Sequence, residues 1–270
     1  MTTALPHPHE EALKAFSKQA AHFDLDDAAN PILKIWRRQV YQHTEKFLKP
    51  SSRILELNAG TGIDASYFAS QGHRVHATDA ADGMMSEMQK KINYDNFEGR
   101  LTSQQVSFDQ LDQVQGSFDY VYSNFGGLNC IQDLTPVTQS ISHLLSPGGI
   151  ITWVVMPPIC PWEWTWVFKG KLNVAFRRLS QQGTTAHLEG HYFNTHYHPL
   201  SKIQKALGAD FKLLKAEGLG SFSPPPASLS FEKHFPRLST SLRQLENKMK
   251  HLFPFNRWGD HIIVTFQKVR

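Results

Sequence analysis

Short apolar runs alternate with segments of helical pattern from Arg53 onwards, and this alternation constrains the fold more than any other feature of the chain. These strand-like runs read RILEL, RVHATD, TSQQVSF, FDYVYSN and IITWVVM. Segments with helical spacing, such as IDASYFASQG and PVTQSISHLL, stand between them. This order is typical of parallel strands joined by crossover helices, so it predicts an α/β fold: a Rossmann-like sheet with helices on both faces.

The regions before and after this alternation predict additions to the sheet. Apolar residues are spaced along one helix face in EALKAFSKQAAHF and again in ILKIWRRQVYQHTEKFL. We expect one domain, 1–270. Its parts are a helical N-terminal cap (1–50), a ligand-binding core (51–156), an insertion that acts as a lid (157–198) and a C-terminal part of the sheet with a second insertion that begins near SPPPASLS (199–270).

Composition excludes several classes of protein. With 270 residues, of which 40% are hydrophobic and 19% charged, the chain can form a sizeable core. Its net charge of +4 is spread along the sequence, so we do not expect a nucleic-acid partner. Two cysteines without a Cys-x-x-Cys pair, and an N-terminus without a signal-like apolar segment, predict a cytoplasmic protein.

The segment GIITWVVMPPICPWEWTWVF is the most apolar part of the chain. Three prolines, at positions 157, 158 and 161, interrupt it. Because a spanning helix needs roughly 20 mostly apolar residues, we predict a buried strand, a proline-broken loop and a Trp-rich helix, and no transmembrane span. Peripheral contact of the Trp-rich part with a membrane stays open, and so does the oligomeric state.

A glycine turn follows the first predicted strand and indicates a ligand. The sequence GTGIDA, residues 60–65, fits the Gly-x-Gly-x-x-Ala pattern of dinucleotide-binding turns, although an ordinary tight turn could carry it too. Asp79 ends the next strand, where a carboxylate can accept hydrogen bonds from both ribose hydroxyls. Glu56 and Asp64 flank the turn, and a pyrophosphate is disfavoured beside carboxylates. The acids favour a ligand with a positive end, such as S-adenosylmethionine, which carries an ammonium and a sulfonium.

Five motifs in the same region resemble those of class I S-adenosylmethionine-dependent methyltransferases of the small-molecule type. ILELNAGTG (residues 54–62) is similar to the first motif of that family, and ATDAADGMM (77–85) to the second. SFDQL (107–111), FDYVYSNF (118–125) and LLSPGG (144–149) follow in the family's order. The resemblance implies a seven-stranded sheet and methyl transfer from S-adenosylmethionine to a small acceptor.

The resemblance also implies which residues bind the cofactor. Asn58 departs from the pattern, which usually has glycine there, but asparagine tolerates a left-handed backbone better than most residues. The predicted cofactor-binding residues are Glu56, Asn58, Ala59, Gly60, Gly62, Asp79, Ala80, Met84, Ser107, Phe108, Asn124 and Phe125.

The acceptor pocket is predicted from position and residue type. The insertion 157–198 follows the fifth strand, emerges where ligands bind in open α/β sheets, and is rich in tryptophan and histidine. We therefore expect a small, largely apolar or aromatic acceptor. The predicted pocket residues are Asn129, Trp162, Trp164, His191 and His196. No residue stands out as a catalytic base, and the histidines lack a nearby cysteine or acid to complete a metal site, so no metal is expected.

Two alternatives remain from the sequence. One is an NAD(P)-dependent oxidoreductase on the same fold, although no Tyr-x-x-x-Lys element is present. The other is a non-catalytic protein that binds S-adenosylmethionine. Amino-methylating nucleic-acid enzymes carry Asn-Pro-Pro-Tyr or a close variant after the fourth strand, and the sequence SNFGG there has no proline.

The acids around the glycine turn yield a first prediction about ligand choice. The protein should bind S-adenosylmethionine or S-adenosylhomocysteine and not NADH, because Glu56 and Asp64 disfavour a pyrophosphate. Calorimetric titration with each ligand measures this. Tight NADH binding without a response to S-adenosylmethionine would contradict it.

Overall fold

The predicted α/β sheet is confirmed by a computed structural model that describes residues 8–95 and 97–269. Seven strands form one mixed sheet in the order β3-β2-β1-β4-β5-β9-β8. They are β1 (Arg53–Leu57), β2 (Arg74–Asp79), β3 (Leu101–Gln105), β4 (Phe118–Ser123), β5 (Leu145–Val155), β8 (Phe211–Leu219) and β9 (His261–Lys268). A separate hairpin consists of β6 (Thr184–Leu188) and β7 (His191–Thr195).

Strand direction sets where a ligand can bind. The five strands from β3 to β5 are parallel, whereas β9 runs antiparallel between β5 and β8. The carboxyl ends of β1, β2 and β4 therefore meet at one edge, and the chain reverses its order there, since β2 and β4 lie on opposite sides of β1. Ligands of open α/β sheets bind at such a point.

Ten α-helices occur among the described residues, besides short 3-10 helices. They are α1 (Pro8–Ala29), α2 (Pro31–Thr44), α3 (Ile63–Ser70), α4 (Asp82–Asp95), α5 (Thr135–Leu144), α6 (Pro161–Trp164), α7 (Leu172–Ala175), α8 (Leu200–Leu207), α9 (Leu229–His234) and α10 (Pro236–Met249). Asn30 caps α2: its side chain accepts from the backbone N–H groups of Ile32 and Leu33, and Pro31 occupies the first turn.

The sheet separates two apolar cores because side chains alternate along each strand. Leu55 and Leu57 of β1 join the core under α5 and α8, and Ile54 joins the core under α2, α3 and α4. Trp153 and Trp36 are buried in the first and second core, respectively. Helices therefore cover both faces.

The predicted helical cap corresponds in the structure to α1 and α2, and its first residues, 1–7, lie outside the described ones. α1 packs against α4 and β7 at the carboxyl edge of the sheet. Gly83 permits the closest approach, since a Cβ there would lie 2.2 Å from the carbonyl oxygen of Ser17.

The two insertions, after β5 and after β8, contact each other. Trp162 donates from Nε1 to Ser228 Oγ at 3.0 Å, and its ring lies 5.1 Å from that of Phe231. Trp164 lies 6.0 Å from Trp258, measured between ring centroids. Within the described part of the chain, no helix combines the length and apolar character that crossing a bilayer requires.

Gly83 provides a prediction about the attachment of α1. Gly83→Ala should lower the free energy of unfolding by about 1–3 kcal/mol, because the new methyl group overlaps the Ser17 backbone. Thermal or denaturant unfolding measures this. Ser86→Ala, at an exposed position of the same helix, is the control. A gain in stability at Gly83, as expected for alanine in an unhindered helix, would show that α1 does not pack there.

Candidate active site

A cavity of about 300 Å³ lies at the carboxyl ends of β1, β2 and β4. This volume is at the lower end of the range for small-molecule sites. Its lining combines the glycine turn after β1, the end of β2, the loop after β4, and side chains of α1 and β7. The lining residues are Ala12, Leu13, Phe16, Phe23, Glu56, Asn58, Ala59, Gly60, Ile63, Asp64, Thr78, Asp79, Ala80, Met84, Val106, Phe108, Asn124, Phe125, Gly126, Gly127, Cys130, Met156, Phe193 and Thr195.

Left-handed backbone shapes the glycine turn. Gly60 and Gly62 have φ of 57° and 79°, and Asn58 has φ of 46°. The Asn58 side chain donates to the Asn124 carbonyl at 2.9 Å and accepts a hydrogen bond from Ser123 Oγ. Asparagine at the unusual position thus fastens the turn after β1 to the end of β4, an interaction that glycine cannot make.

Asp79 fixes the same turn from β2. Its Oδ2 accepts from the Gly60 N–H at 2.8 Å, and its Oδ1 accepts from the Ala81 N–H at 2.9 Å. Burial raises the pKa of Asp79, although these backbone donors oppose the shift. The carboxylate therefore has a structural contact as well as a place in the cavity wall.

Asp64 is neutralised by residues from the N-terminal helices. Arg37 forms an ion pair with it, and Tyr41 donates to its Oδ1 at 2.6 Å. Asn124 Nδ2 donates to the other oxygen at 2.7 Å. Sequence reasoning did not assign Arg37 or Tyr41 to the site, because they lie on α2, more than 20 residues before Asp64.

Glu56 differs from Asp64 because no ion pair is formed by its side chain among the described residues. The side chain is buried, and its Oε2 has no hydrogen-bond partner among the described residues. Burial, reinforced by the nearby Asp64 carboxylate, raises the pKa of Glu56 well above its usual range. An unpartnered carboxyl group on the cavity wall is suited to a cationic group of a ligand.

Most predicted cofactor-binding residues share this one cavity. Ten line it: Glu56, Asn58, Ala59, Gly60, Asp79, Ala80, Met84, Phe108, Asn124 and Phe125. Gly62 lies outside the lining. A Cβ there would lie 2.8 Å from Met88 Cγ, so glycine at this position allows the start of α3 to pack closely against α4. Ser107 also lies outside the lining and directly precedes Phe108.

The five predicted acceptor residues lie outside the lining of this cavity, and their role in acceptor binding stays a prediction. Asn129 is fully buried and cross-links backbone: its Nδ2 donates to the carbonyls of Met156 (3.0 Å) and His196 (2.5 Å), and its Oδ1 accepts from the Met156 N–H. An amide with these partners holds loops together, and both of its N–H groups are already used by backbone carbonyls.

Other contacts explain the remaining four positions. Trp162 and Trp164 pack against the second insertion. His191 Nδ1 lies 2.7 Å from Glu11 of α1, and the His196 N–H donates to the Asn129 carbonyl. Within the insertion 157–198, the cavity is reached by Phe193 and Thr195 of β7, so the hairpin and not the tryptophans contributes to the wall.

Helix α1 covers the cavity, which sequence reasoning missed. Ala12, Leu13, Phe16 and Phe23 line it from this helix, and Phe16 contacts Phe193 with ring centroids 5.6 Å apart. The apolar spacing in EALKAFSKQAAHF was the available signal, but it predicts a buried face without saying what that face covers.

The histidine-rich segment holds its side chains apart from a common centre. His198 Nε2 lies within 3.1 Å of the carbonyls of Leu128 and Ile131, and burial lowers its pKa to about 4. Within the described residues, one group of metal-ligating type is close enough to share an ion: Cys160, Glu163 and Asp260. Arg178 pairs with both of these carboxylates at 2.8 and 2.6 Å, so a guanidinium already neutralises them.

Comparison with known proteins identifies the domain. Residues 54–149 match a family model described as a methyltransferase domain. The chain contains a class I S-adenosylmethionine-dependent methyltransferase domain. Demethylmenaquinone methyltransferase from Beutenbergia cavernae is 28% identical over 167 residues. That alignment covers 58% of this chain and 62% of the relative, so the chain spans less than two thirds of the relative's length.

Solved structures share the fold of the methyltransferase domain. An S-adenosylmethionine-dependent methyltransferase from Mesorhizobium loti has a TM-score of 0.55 at 17% identity, over 84% of this chain and 97% of that one. The 1,6-didemethyltoxoflavin-N1-methyltransferase of Burkholderia thailandensis has a TM-score of 0.57 at 17% identity, over 100% of this chain and 94% of that one. S-adenosylmethionine is the cofactor of this family.

Glu56 provides a prediction with opposite effects on binding and stability. Glu56→Gln should weaken S-adenosylmethionine binding and remove most of the pH dependence of this binding. The reason is that Glu56 has a raised pKa in the wild type and must release its proton before it can pair with a cation. Affinity of the wild type should rise with pH. Calorimetry across pH, in buffers of different ionisation enthalpy, measures both the affinity and the released proton.

The same substitution should stabilise the ligand-free protein. The pKa of Glu56 is higher in the folded protein than in the unfolded chain. The stability that Glu56 contributes is therefore complete below its unfolded-state pKa and is lost as pH rises from that value to its folded-state pKa. Relative to Glu56→Gln, wild type should lose about 1.4 kcal/mol of unfolding free energy per pH unit within this window. Equal stability of the two proteins at all pH values would show that Glu56 is not desolvated.

Proposed function

We propose that this protein transfers a methyl group from S-adenosylmethionine to a small, largely apolar or aromatic acceptor. One observation carries the proposal: the same cavity is lined by carboxyl groups at the turn after β1 and by apolar side chains from α1 and β7. A cationic donor fits the first part of the wall and an apolar acceptor fits the second.

The donor side has a residue for each part of the cofactor. Glu56, with its unpartnered oxygen, would pair with the ammonium group, and Asp79 would accept from the ribose hydroxyls. Met84 and Phe108 would pack against the adenine. When bound, S-adenosylmethionine supplies an electrophilic methyl group on a sulfonium.

The chain's own residues contribute alignment and exclusion of water. Phe16 and Phe23 of α1 contribute apolar side chains to the cavity wall, and the turn residues would fix the donor. Holding donor and acceptor in line can supply much of the rate of a bimolecular transfer.

The cavity wall also limits the chemistry of the acceptor. Among the described residues that line it there is no histidine, and burial, together with Asp79, raises the pKa of Cys130 to about 12. The thiol therefore stays protonated near neutral pH and is a poor general base. In this proposal the cofactor engages the carboxyl groups of Glu56 and Asp79, and Arg37 engages that of Asp64. We infer that the acceptor presents a nucleophile that needs little help with deprotonation, such as an acidic hydroxyl, a stabilised carbanion or a neutral amine.

The two alternatives make different demands on this cavity. An NAD(P) pyrophosphate at the glycine turn would lie beside the unpartnered carboxyl group of Glu56, and the described residues that line the cavity include no lysine or arginine to pair with its phosphates, which disfavours the oxidoreductase. A non-catalytic binder of S-adenosylmethionine needs no space beyond the cofactor, whereas the apolar wall of α1 and β7 offers a place for a second molecule.

The proposed function is tested with purified protein, S-adenosylmethionine and an acceptor panel. Because the Beutenbergia cavernae relative is named for demethylmenaquinone, that compound is the first acceptor, followed by acidic phenols and aromatic amines. Formation of S-adenosylhomocysteine and of a methylated product by mass spectrometry supports the proposal. Tight cofactor binding without turnover of any acceptor class would favour the non-catalytic alternative.

A prediction about the acceptor wall follows. Phe193→Ala should lower kcat/KM for the acceptor by about tenfold or more, the equivalent of roughly 1.5–3 kcal/mol for one buried aromatic side chain, and leave cofactor affinity nearly unchanged. Steady-state kinetics and calorimetry measure the two quantities. Phe193→Leu should retain part of the activity if apolar contact is what matters.

Two control variants accompany this test. Tyr192 is the neighbour of Phe193 on β7 and is 64% exposed, so Tyr192→Ala should leave turnover unchanged. Trp164→Ala should do the same, because Trp164 packs on Trp258 outside the cavity. Loss of activity in Trp164→Ala with normal activity in Phe193→Ala would restore the tryptophan segment as the acceptor wall.

A further inference from the structure

The first insertion exposes apolar side chains that the proposed chemistry does not use. Every residue from 167 to 173 is exposed. Phe168 is 93% exposed, and Leu172, Phe176 and Leu179 are about half exposed. Isolated exposed apolar residues are common, but several within one short segment indicate a contact surface.

Cations accompany these apolar side chains. Lys169 and Lys171 lie on Trp166, with their Nζ atoms 4.6 and 5.1 Å from the ring centroid. Glu163, the acid of this segment, is buried in ion pairs with Arg177 and Arg178. No other acidic residue occurs between Pro157 and Gln182, so the exposed part of the segment is purely basic.

The second insertion is also rich in basic residues. The two insertions, 157–198 and 220–260, together contain ten lysines and arginines and five acidic residues, which leaves 18 basic and 19 acidic residues in the rest of the chain. The net positive charge of the protein therefore resides in the two insertions, which corrects the expectation that it is spread along the sequence.

Packing joins the two segments into one surface. Phe231 lies 5.1 Å from Trp162 and 5.1 Å from Phe235, measured between ring centroids. Phe235 is 53% and Leu238 is 48% exposed. We call the exposed residues of this surface the basic apolar face: Phe168, Lys169, Lys171, Leu172, Phe176, Phe235 and Leu238.

We propose that the basic apolar face docks on an anionic lipid bilayer. Apolar side chains flanked by lysines match a membrane interface, where the side chains enter the headgroup region and the cations meet anionic lipid. A nucleic acid would use the cations but would leave aliphatic residues such as Leu172 and Leu179 exposed to water. A second copy of this chain would place one positive surface against another.

The position of the face relates docking to the proposed function. The first insertion begins directly after Met156, which lines the cavity, and the Ile159 carbonyl accepts from the N–H of Gly259, just before β9, at 3.0 Å. Docking would bring the cavity close to a phase in which apolar molecules concentrate. This inference goes beyond the proposed methyl transfer and does not require it to be correct.

Vesicle co-sedimentation of the full chain tests the proposal without cofactor or acceptor. The protein should sediment with vesicles of phosphatidylcholine and phosphatidylglycerol, bind pure phosphatidylcholine far less, and dissociate as salt concentration rises. Lys169→Glu with Lys171→Glu should lower vesicle affinity by at least about fivefold per lysine, and Phe168→Ser with Leu172→Ser should do so at all salt concentrations.

Matched controls come from the opposite edge of the sheet. Tyr94 is 89% exposed and Lys90 has a 67% exposed side chain, both on α4, so Tyr94→Ser and Lys90→Glu should bind vesicles as wild type does. All substituted positions are exposed, and unchanged melting temperature and S-adenosylhomocysteine affinity verify that the variants fold.

Three results would overturn the docking proposal. The first is wild-type protein that stays in solution with anionic vesicles. The second is an equal loss of binding in the control and face variants, which would indicate unspecific charge attraction. The third is a dimer in light scattering that Phe168→Ser with Leu172→Ser converts to monomer, which would assign the face to a second copy. Failure of methyl transfer alone would not affect any of these measurements.

Discussion

The buried ion pair between Arg37 and Asp64 is the interaction on which the rest of the site depends. Arg37 belongs to α2 and Asp64 to the start of α3, so the pair fastens the N-terminal helices to the glycine turn. Arg37 also pairs with Asp27 at 2.6 Å and lies over the Phe125 ring at 5.0 Å. Removal of one partner from a buried pair typically costs 3–5 kcal/mol, because the remaining charge is left uncompensated. The ion pair thus holds the turn, the loop after β4 and the N-terminal helices in one arrangement.

This pairing also determines the electrostatics of the cavity. Two carboxyl groups flank the turn, and the Arg37 guanidinium forms an ion pair with one of them, Asp64. Glu56 is left buried, with one oxygen unpartnered and with a raised pKa. The protein therefore keeps an unfavourable buried acid that a cationic ligand can stabilise. A site of this kind binds at the expense of the stability of the free protein, a trade-off common at functional sites.

Helix α1 covers the cavity and is held in place by side-chain contacts. Besides Phe16 and its apolar neighbours, its contacts at the rim are polar: Ser17 with Asp82, Lys18 with the Glu189 carbonyl, and Glu11 with His191. The cover thus meets both α4 and the β6–β7 hairpin. It places an apolar wall opposite the carboxyl groups, and this division of the cavity supports an apolar acceptor beside a charged donor.

Local sequence patterns determined the sheet and the donor side of the cavity. The alternation after Arg53 predicted the strands, and the turn at Gly60 with Asp79 after the next strand predicted residues that meet in one cavity, because parallel strands bring their carboxyl ends together by geometry alone. Residue type alone did not reveal the partners of Asn129 and Trp164: the Asn129 side chain donates to backbone carbonyls, and Trp164 packs on Trp258. The wall opposite the donor comes from Phe16 and Phe193, which are 177 residues apart in the chain. Only the tertiary structure could decide this, because an amphipathic pattern states that a face is buried and not which distant segment it meets.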